Sequence, residues 1–145
     1  RRRNILTNSD NKDTISTMNT TAMGQRTILI ADDNDNIRDA LTYLLEDEGY
    51  ELVLAKDGAD TLRKVREKKP DILFLDIMMP EVNGYDVCRI IKNDPDLKSI
   101  YVIMLTAKGQ VAEQERGKEV GADEYIVKPF SPMEILTKVK NLLQN

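Results

Sequence analysis

The 145-residue chain has no histidine. That removes His-based triads, imidazole metal ligands and any phosphohistidine on this chain. A single cysteine, Cys88, excludes an intrachain disulfide and a thiolate zinc site and suits a reducing, cytoplasmic setting. It lies beside an apolar helical stripe and reads as inert packing. No apolar run approaches the ~20 residues a membrane-spanning helix needs, so no membrane partner is expected. Nothing has the charged start, apolar middle and small-residue cleavage site of a secretory signal.

What is present is an ordinary globular composition, 41% hydrophobic and 32% charged, in a length that fits one domain with an appendage. Charge is divided unevenly. Residues 1–26 carry five basic and two acidic groups, whereas residues 27–145 carry 16 and 23. The acidic balance of the larger part argues against direct nucleic acid binding by it. Residues 1–25 are rich in Asn, Thr, Ser and Asp, lack any helical or strand period, and are expected to be a disordered or added tail. The chain does not begin with Met, and Met18 and Met23 are both usable starts. The folded domain is expected over residues 26–145.

Five short apolar runs follow: 28–30, 52–54, 72–75, 101–105 and 125–127. Their near-continuous hydrophobicity suits strands covered on both faces. Helical stripes lie between them: Ile37, Leu41, Leu44 and Leu45; Ala59, Leu62 and Val65; Val87, Ile90 and Ile91; and, last, Met133, Leu136, Val139, Leu142 and Leu143. Residues 33–36 offer N-caps, Gly49 a stop, and Ser131-Pro132 a start. A weaker helix is expected over 110–120, where only Val111, Ala112 and Val120 are apolar enough to bury and Gly117 costs roughly 1 kcal/mol relative to Ala. Five strands alternating with five helices imply an α/β doubly wound, five-stranded parallel sheet with right-handed crossovers.

Ligands of such sheets sit at the carboxyl ends of the strands. There the sequence places Asp32 and Asp33 after the first run, Asp76 after the third, Thr106 after the fourth and Lys128 after the fifth. Carboxylates packed together raise one another's proton affinity, and a hard divalent cation relieves this. Mg²⁺ takes oxygen ligands and keeps several waters, so two carboxylates with a backbone carbonyl suit it. A carboxylate can also act as nucleophile toward phosphorus, giving an acyl phosphate, with cations rather than a general base stabilising the transition state. Asp76 is the candidate nucleophile, with Lys128 and Thr106 directed at phosphoryl oxygens.

Competing readings fare worse. Asp32-Asp33 alone is what a helix start looks like. A calcium loop over 32–43 fails, because Ile37 and Tyr43 stand where Gly and Glu are needed. An aspartyl-phosphate phosphatase needs a second acid two residues after the nucleophile, where this chain has Met78. No Gly-rich nucleotide loop follows the first strand. Activity as an enzyme on an outside substrate is therefore not expected.

The segments Ile28-Leu29-Ile30-Ala31-Asp32-Asp33, Leu73-Phe74-Leu75-Asp76-Ile77-Met78-Met79-Pro80 with Gly84, Met104-Leu105-Thr106-Ala107 and Gly121 through Phe130 resemble, in order and spacing, the receiver domain of two-component response regulators. The resemblance covers about residues 26–144. It implies the flavodoxin-like (βα)5 fold and a phosphoacceptor module of a phosphorelay. It assigns Asp76 as phosphoacceptor, Asp33, Asp76 and the Met78 carbonyl as direct Mg²⁺ ligands, and Asp32 as a ligand through water. Thr106 and Lys128 match the phosphate-sensing pair, Tyr125 matches the aromatic switch, and Lys128–Pro129 is expected to be cis.

The implied partners are a histidine kinase or phosphotransfer protein and a downstream effector. A homodimer through the fourth helix (110–120), fifth strand and fifth helix is permitted, not demanded. Because the chain ends just after its last helix, output is expected to be binding rather than an attached domain. Two alternatives stay open: a receiver cut from a larger hybrid kinase or transcription factor, and a degenerate receiver serving as a phosphorylation-independent scaffold. A flavodoxin-like enzyme binding a phosphorylated ligand would need inserted loops that are not there.

Overall fold

The computed structural model describes residues 25–107 and 119–143. The predicted tail, apart from Gln25, and most of the weak 110–120 helix lie outside the described residues; Glu119 and Val120 are helical. The strands are β1 (Thr27–Ala31), β2 (Glu51–Ala55), β3 (Ile72–Asp76), β4 (Tyr101–Ala107) and β5 (Glu124–Lys128). The described helices are α1 (Asp35–Leu45), α2 (Gly58–Lys68), α3 (Gly84–Lys92) and α4 (Pro132–Leu143). All strands pair in parallel in the order β2-β1-β3-β4-β5.

Alternation along the strands sends side chains into two cores, one on each face of the sheet. Leu29, Leu73, Leu75, Val102 and Met104 meet α2 and α3 through Val65, Val87, Cys88 and Ile91. Ile28, Ile30, Phe74, Ile103 and Leu105 meet α1 and α4 through Leu41, Leu45, Ile135 and Val139. The central β3 is buried at every residue, and each fully buried Leu or Ile there contributes about 1.5–3 kcal/mol. β2 and β5 are the sheet's edges and are correspondingly half-buried. On β2 the Lys64 ammonium donates to the Leu54 carbonyl, covering part of an edge that would otherwise offer unpaired backbone groups.

The helix ends follow the expected chemistry. Asn34 caps α1 by accepting from the N–H groups of Asn36 and Ile37, and Asp57 caps α2 by accepting from Asp60 N–H. A short 3-10 turn over Glu46–Glu48 extends α1 before Gly49 stops it at φ 87°. Ser131 Oγ accepts from Glu134 N–H at the start of α4.

Three stripe positions need correction. Ala59 is exposed, and α2 instead buries Thr61, whose hydroxyl bonds the Asp57 carbonyl at 2.7 Å. Ile90 is 39% exposed, while Tyr85 and Cys88 complete the α3 face. In α4 Met133 is 68% exposed and Ile135 is fully buried. The helix docks with the Ile135–Val139 row toward the sheet, so its apolar face is rotated relative to a stripe begun at Met133. No helix among the described residues is long and apolar enough to cross a membrane.

Candidate functional site

The parallel register delivers the polar residues together. Asp76 ends β3 opposite Leu105 of β4, so Thr106 lies one residue beyond it on the neighbouring strand. Lys128 ends β5 opposite Ala107. On the other side of β3, Asp32 follows β1 directly and its N–H bonds the Ala55 carbonyl of β2 at 3.1 Å. The sheet therefore presents an acid, an acid, a hydroxyl and an ammonium along one rim.

Asp32 is fully buried. Its Oδ1 accepts from Asn34 N–H at 2.9 Å, its Oδ2 accepts from Lys128 Nζ at 2.9 Å, and its carbonyl accepts from Arg38 Nη1 at 2.5 Å. Arg38 also pairs with Asp35, so the first turn of α1 is tied to the acid it follows. Asp33 is exposed beside it. Asp76 is 6% exposed, accepts from Lys128 Nζ at 3.2 Å and from Met78 N–H at 3.3 Å, both on Oδ1. The Lys128 ammonium is thus a bridge between two buried carboxylates. The Lys128–Pro129 peptide is cis, as expected.

Burial raises the proton affinity of Asp76, and the Asp32 carboxylate raises it further against the opposing pull of Lys128, pushing it up to about 6. Burial works to lower the Lys128 ammonium, but the Asp32 hydrogen bond and the two carboxylate charges outweigh it and hold Lys128 above the ordinary lysine value. The arrangement stores negative charge that one lysine only partly offsets.

Carboxylate oxygens of Asp32, Asp33 and Asp76 come within 4.8 Å of one another. Three hard oxygen donors with exposed Asp33 at the mouth fit a small divalent cation of the Mg²⁺ type better than a soft one. Met78 turns its side chain to solvent, 71% exposed, while its backbone follows Asp76 closely. Thr106 is buried at the end of β4. Tyr125 is not at the rim. It sits on β5 opposite Met104, half-buried against the core that Met104 joins, and alternation places Thr106 on that same face of the sheet.

Sequence reasoning brought Asp32, Asp33, Asp76, Thr106 and Lys128 to this rim, and the structure does the same. It missed Arg38, whose signal was its position one helical turn beyond Asp35. It also assigned no role to the glycines that hold the loop after Asp76. Gly84 N–H bonds the Ile77 carbonyl at 2.9 Å, and a Cβ on Gly84 would stand 2.8 Å from Ile77 Cα and closer to the Asp76 carbonyl oxygen. Only a residue without a side chain allows α3 to begin directly against the backbone of Asp76.

A family model described as the response regulator receiver domain matches residues 28–140. The DNA-binding response regulator MtrA of Mycolicibacterium smegmatis is 40% identical over 122 residues, covering 84% of this chain and 52% of that protein. The receiver domain of a signal transduction histidine kinase from Syntrophus aciditrophicus superposes with a TM-score of 0.76 at 35% identity, covering 82% of this chain and 90% of that one. The chemotaxis response regulator CheY4 of Vibrio cholerae gives 0.76 at 30% identity, with 82% and 99% covered. The chain spans about half the length of the curated relatives it matches.

Proposed function

Because the chain belongs to the response regulator receiver domain family of two-component systems, we propose that it is a phosphoacceptor module in which Asp76 takes a phosphoryl group from a histidine kinase or phosphotransfer protein. The observation that carries this reading is Lys128 Nζ bridging Asp32 and Asp76, beside three carboxylates whose oxygens lie within 4.8 Å of one another.

Transfer forms a bond between an Asp76 carboxylate oxygen and phosphorus as the phosphorus–nitrogen bond of the donor's phosphohistidine breaks. The electron pair leaves with the imidazole nitrogen. Lys128, already bonded to Asp76, keeps the carboxylate in place and pairs with a phosphoryl oxygen as negative charge spreads over it. Buried Thr106 offers its hydroxyl to another. Asp33, Asp76 and the Met78 carbonyl, with Asp32 through water, would hold Mg²⁺, which supplies positive charge to the phosphoryl oxygens when bound. Asp76 is the nucleophile without a general base. The module therefore promotes its own phosphorylation and dephosphorylation and no chemistry on an outside substrate.

The output is a change of protein-binding surface. Thr106 and Tyr125 share one face of the sheet, so a Thr106 drawn toward a phosphoryl group vacates space toward which Tyr125 can turn. An effector, or a second copy, then meets the side of the molecule formed by β5 and α4. A cytoplasmic location follows from a kinase partner. The excess of acidic residues over 27–145 argues against direct nucleic acid binding by this domain.

A second reading concerns only the size of the natural protein. Curated relatives are about twice as long, and one similar structure is the receiver of a histidine kinase. The same module then serves within a longer regulator or hybrid kinase. Incubation with acetyl phosphate and Mg²⁺, followed by intact mass measurement, tests the chemistry common to both. One phosphoryl group should be gained by the wild type and none by Asp76→Asn; equal gain in the two would discard Asp76 as acceptor.

A further inference from the structure

The loop from Asp76 to α3 contains a turn of unfavourable shape and lies against a residue of a different element. Val82 N–H bonds the Pro80 carbonyl at 2.8 Å, and Glu81 between them has φ 70°. That is a three-residue turn with a left-handed centre, a strained form that glycine would adopt more readily than glutamate. Such turns persist where their surroundings impose them.

The surroundings here are the first turn of α2. Gly58 is buried, and a Cβ on it would stand 2.5 Å from Val82 Cβ and closer still to the Val82 carbonyl oxygen. Real Cβ atoms do not approach so closely, so either the helix start or the loop must move. Gly58 has no left-handed backbone to explain its identity. Asp57 fixes the helix start beside it as N-cap, and Val82 packs with Val53 and Leu62 against the α2–α3 core. The loop is thus pinned twice, by Gly84 against the backbone of Asp76 and Ile77 and by Gly58 against Val82. Met78 lies between the acceptor and these pins.

We infer that Gly58 is a positioning residue for the metal side of the site: by admitting Val82 it holds the 80–82 turn, and through that turn it sets where the Met78 backbone stands beside Asp76. This rests on the reading of Met78 and Asp76 as ligands of Mg²⁺. By helix propensity alone alanine is the better residue at 58, so any loss on adding a methyl there reports the contact with Val82 rather than a weaker helix.

The test is calorimetric titration of the metal-free protein with MgCl₂, paired with amide spectra of the same samples. Gly58→Ala should lower Mg²⁺ affinity about tenfold, the usual scale for disturbing residues that orient a ligand. The amides of Ile77, Met78, Glu81 and Val82 should shift although residue 58 lies on another element. Val82→Ala, which keeps Gly58 and removes only packing, should weaken Mg²⁺ by a smaller factor in the same direction and decides the matter if Gly58→Ala fails to fold. A folded Gly58→Ala protein, or a Val82→Ala protein, with wild-type Mg²⁺ affinity overturns the inference. Wild-type protein that binds no Mg²⁺, or binds it equally well as Asp76→Asn, overturns the underlying reading of the site instead.

Discussion

Lys128 Nζ lies 2.9 Å from Oδ2 of Asp32, a carboxylate with no exposed surface, and the two residues are 96 positions apart in the chain. The same ammonium reaches Asp76 at 3.2 Å. Removing one partner of a buried charge pair leaves the other desolvated and uncompensated.

Lys128→Met is therefore expected to destabilise the metal-free protein by about 3 kcal/mol. Asp76 can relieve part of the cost by taking a proton. Urea denaturation in EDTA measures the loss, and added Mg²⁺ should recover some of it by standing in for the missing charge. An unchanged midpoint in EDTA would show that the lysine carries no such burden.

The proton affinity of Asp76 gives a second expectation. Its folded value is raised from 3.8 to about 6, by burial first and by Asp32 second. A raised acid is favoured in its protonated form by the fold. Its contribution is complete below about pH 4 and is lost as pH rises through about 6. Metal-free wild type should thus lose on the order of 2 kcal/mol between those limits relative to Asp76→Asn, which cannot titrate there. Denaturation midpoints at several pH values in EDTA check it; parallel profiles for the two proteins would contradict the shift.

Much of this is legible in the sequence. Strands covered on both faces announce themselves as unbroken apolar runs, and β1 and β3 are of that kind. In a parallel sheet the residue after such a run has a known destination, which is why Asp32, Asp76, Thr106 and Lys128 could be placed together. The pairing of Lys128 with Asp32 in particular was not legible, because which carboxylate an ammonium chooses depends on distances across three strands. Nor was the contact of Gly58 with Val82, which depends on how closely α2 and the loop after β3 approach. The face of α4 was misjudged because Met133 and Ile135 are both apolar, and only docking against the sheet decides between them.

That correction is itself testable. Ile135→Ala removes a fully buried side chain and should cost about 3 kcal/mol. Met133→Ala, at 68% exposure, should stay within about 0.5 kcal/mol of wild type. Equal losses in thermal or urea unfolding would restore the stripe begun at Met133.

In the proposed phosphoacceptor, Met78 stands where its side chain would bear on how long a phosphoryl group survives. Its backbone N–H bonds Asp76 Oδ1 at 3.3 Å, while its side chain stands 71% exposed at the mouth of the site. A thioether chain offers an incoming water no strong hydrogen-bond partner. Asparagine in its place would present both a donor and an acceptor and could orient that water. Met78→Asn is expected to shorten the lifetime of the phosphorylated protein by about tenfold, less than the roughly 10²–10⁴-fold of a general acid or base because the amide only orients the water. The exposure of residue 78 means the fold should be indifferent to the change. Purified phosphoprotein followed by intact mass over time gives the rate, and equal decay in the two proteins would mean that water reaches Asp76 by a route the Met78 side chain does not guard.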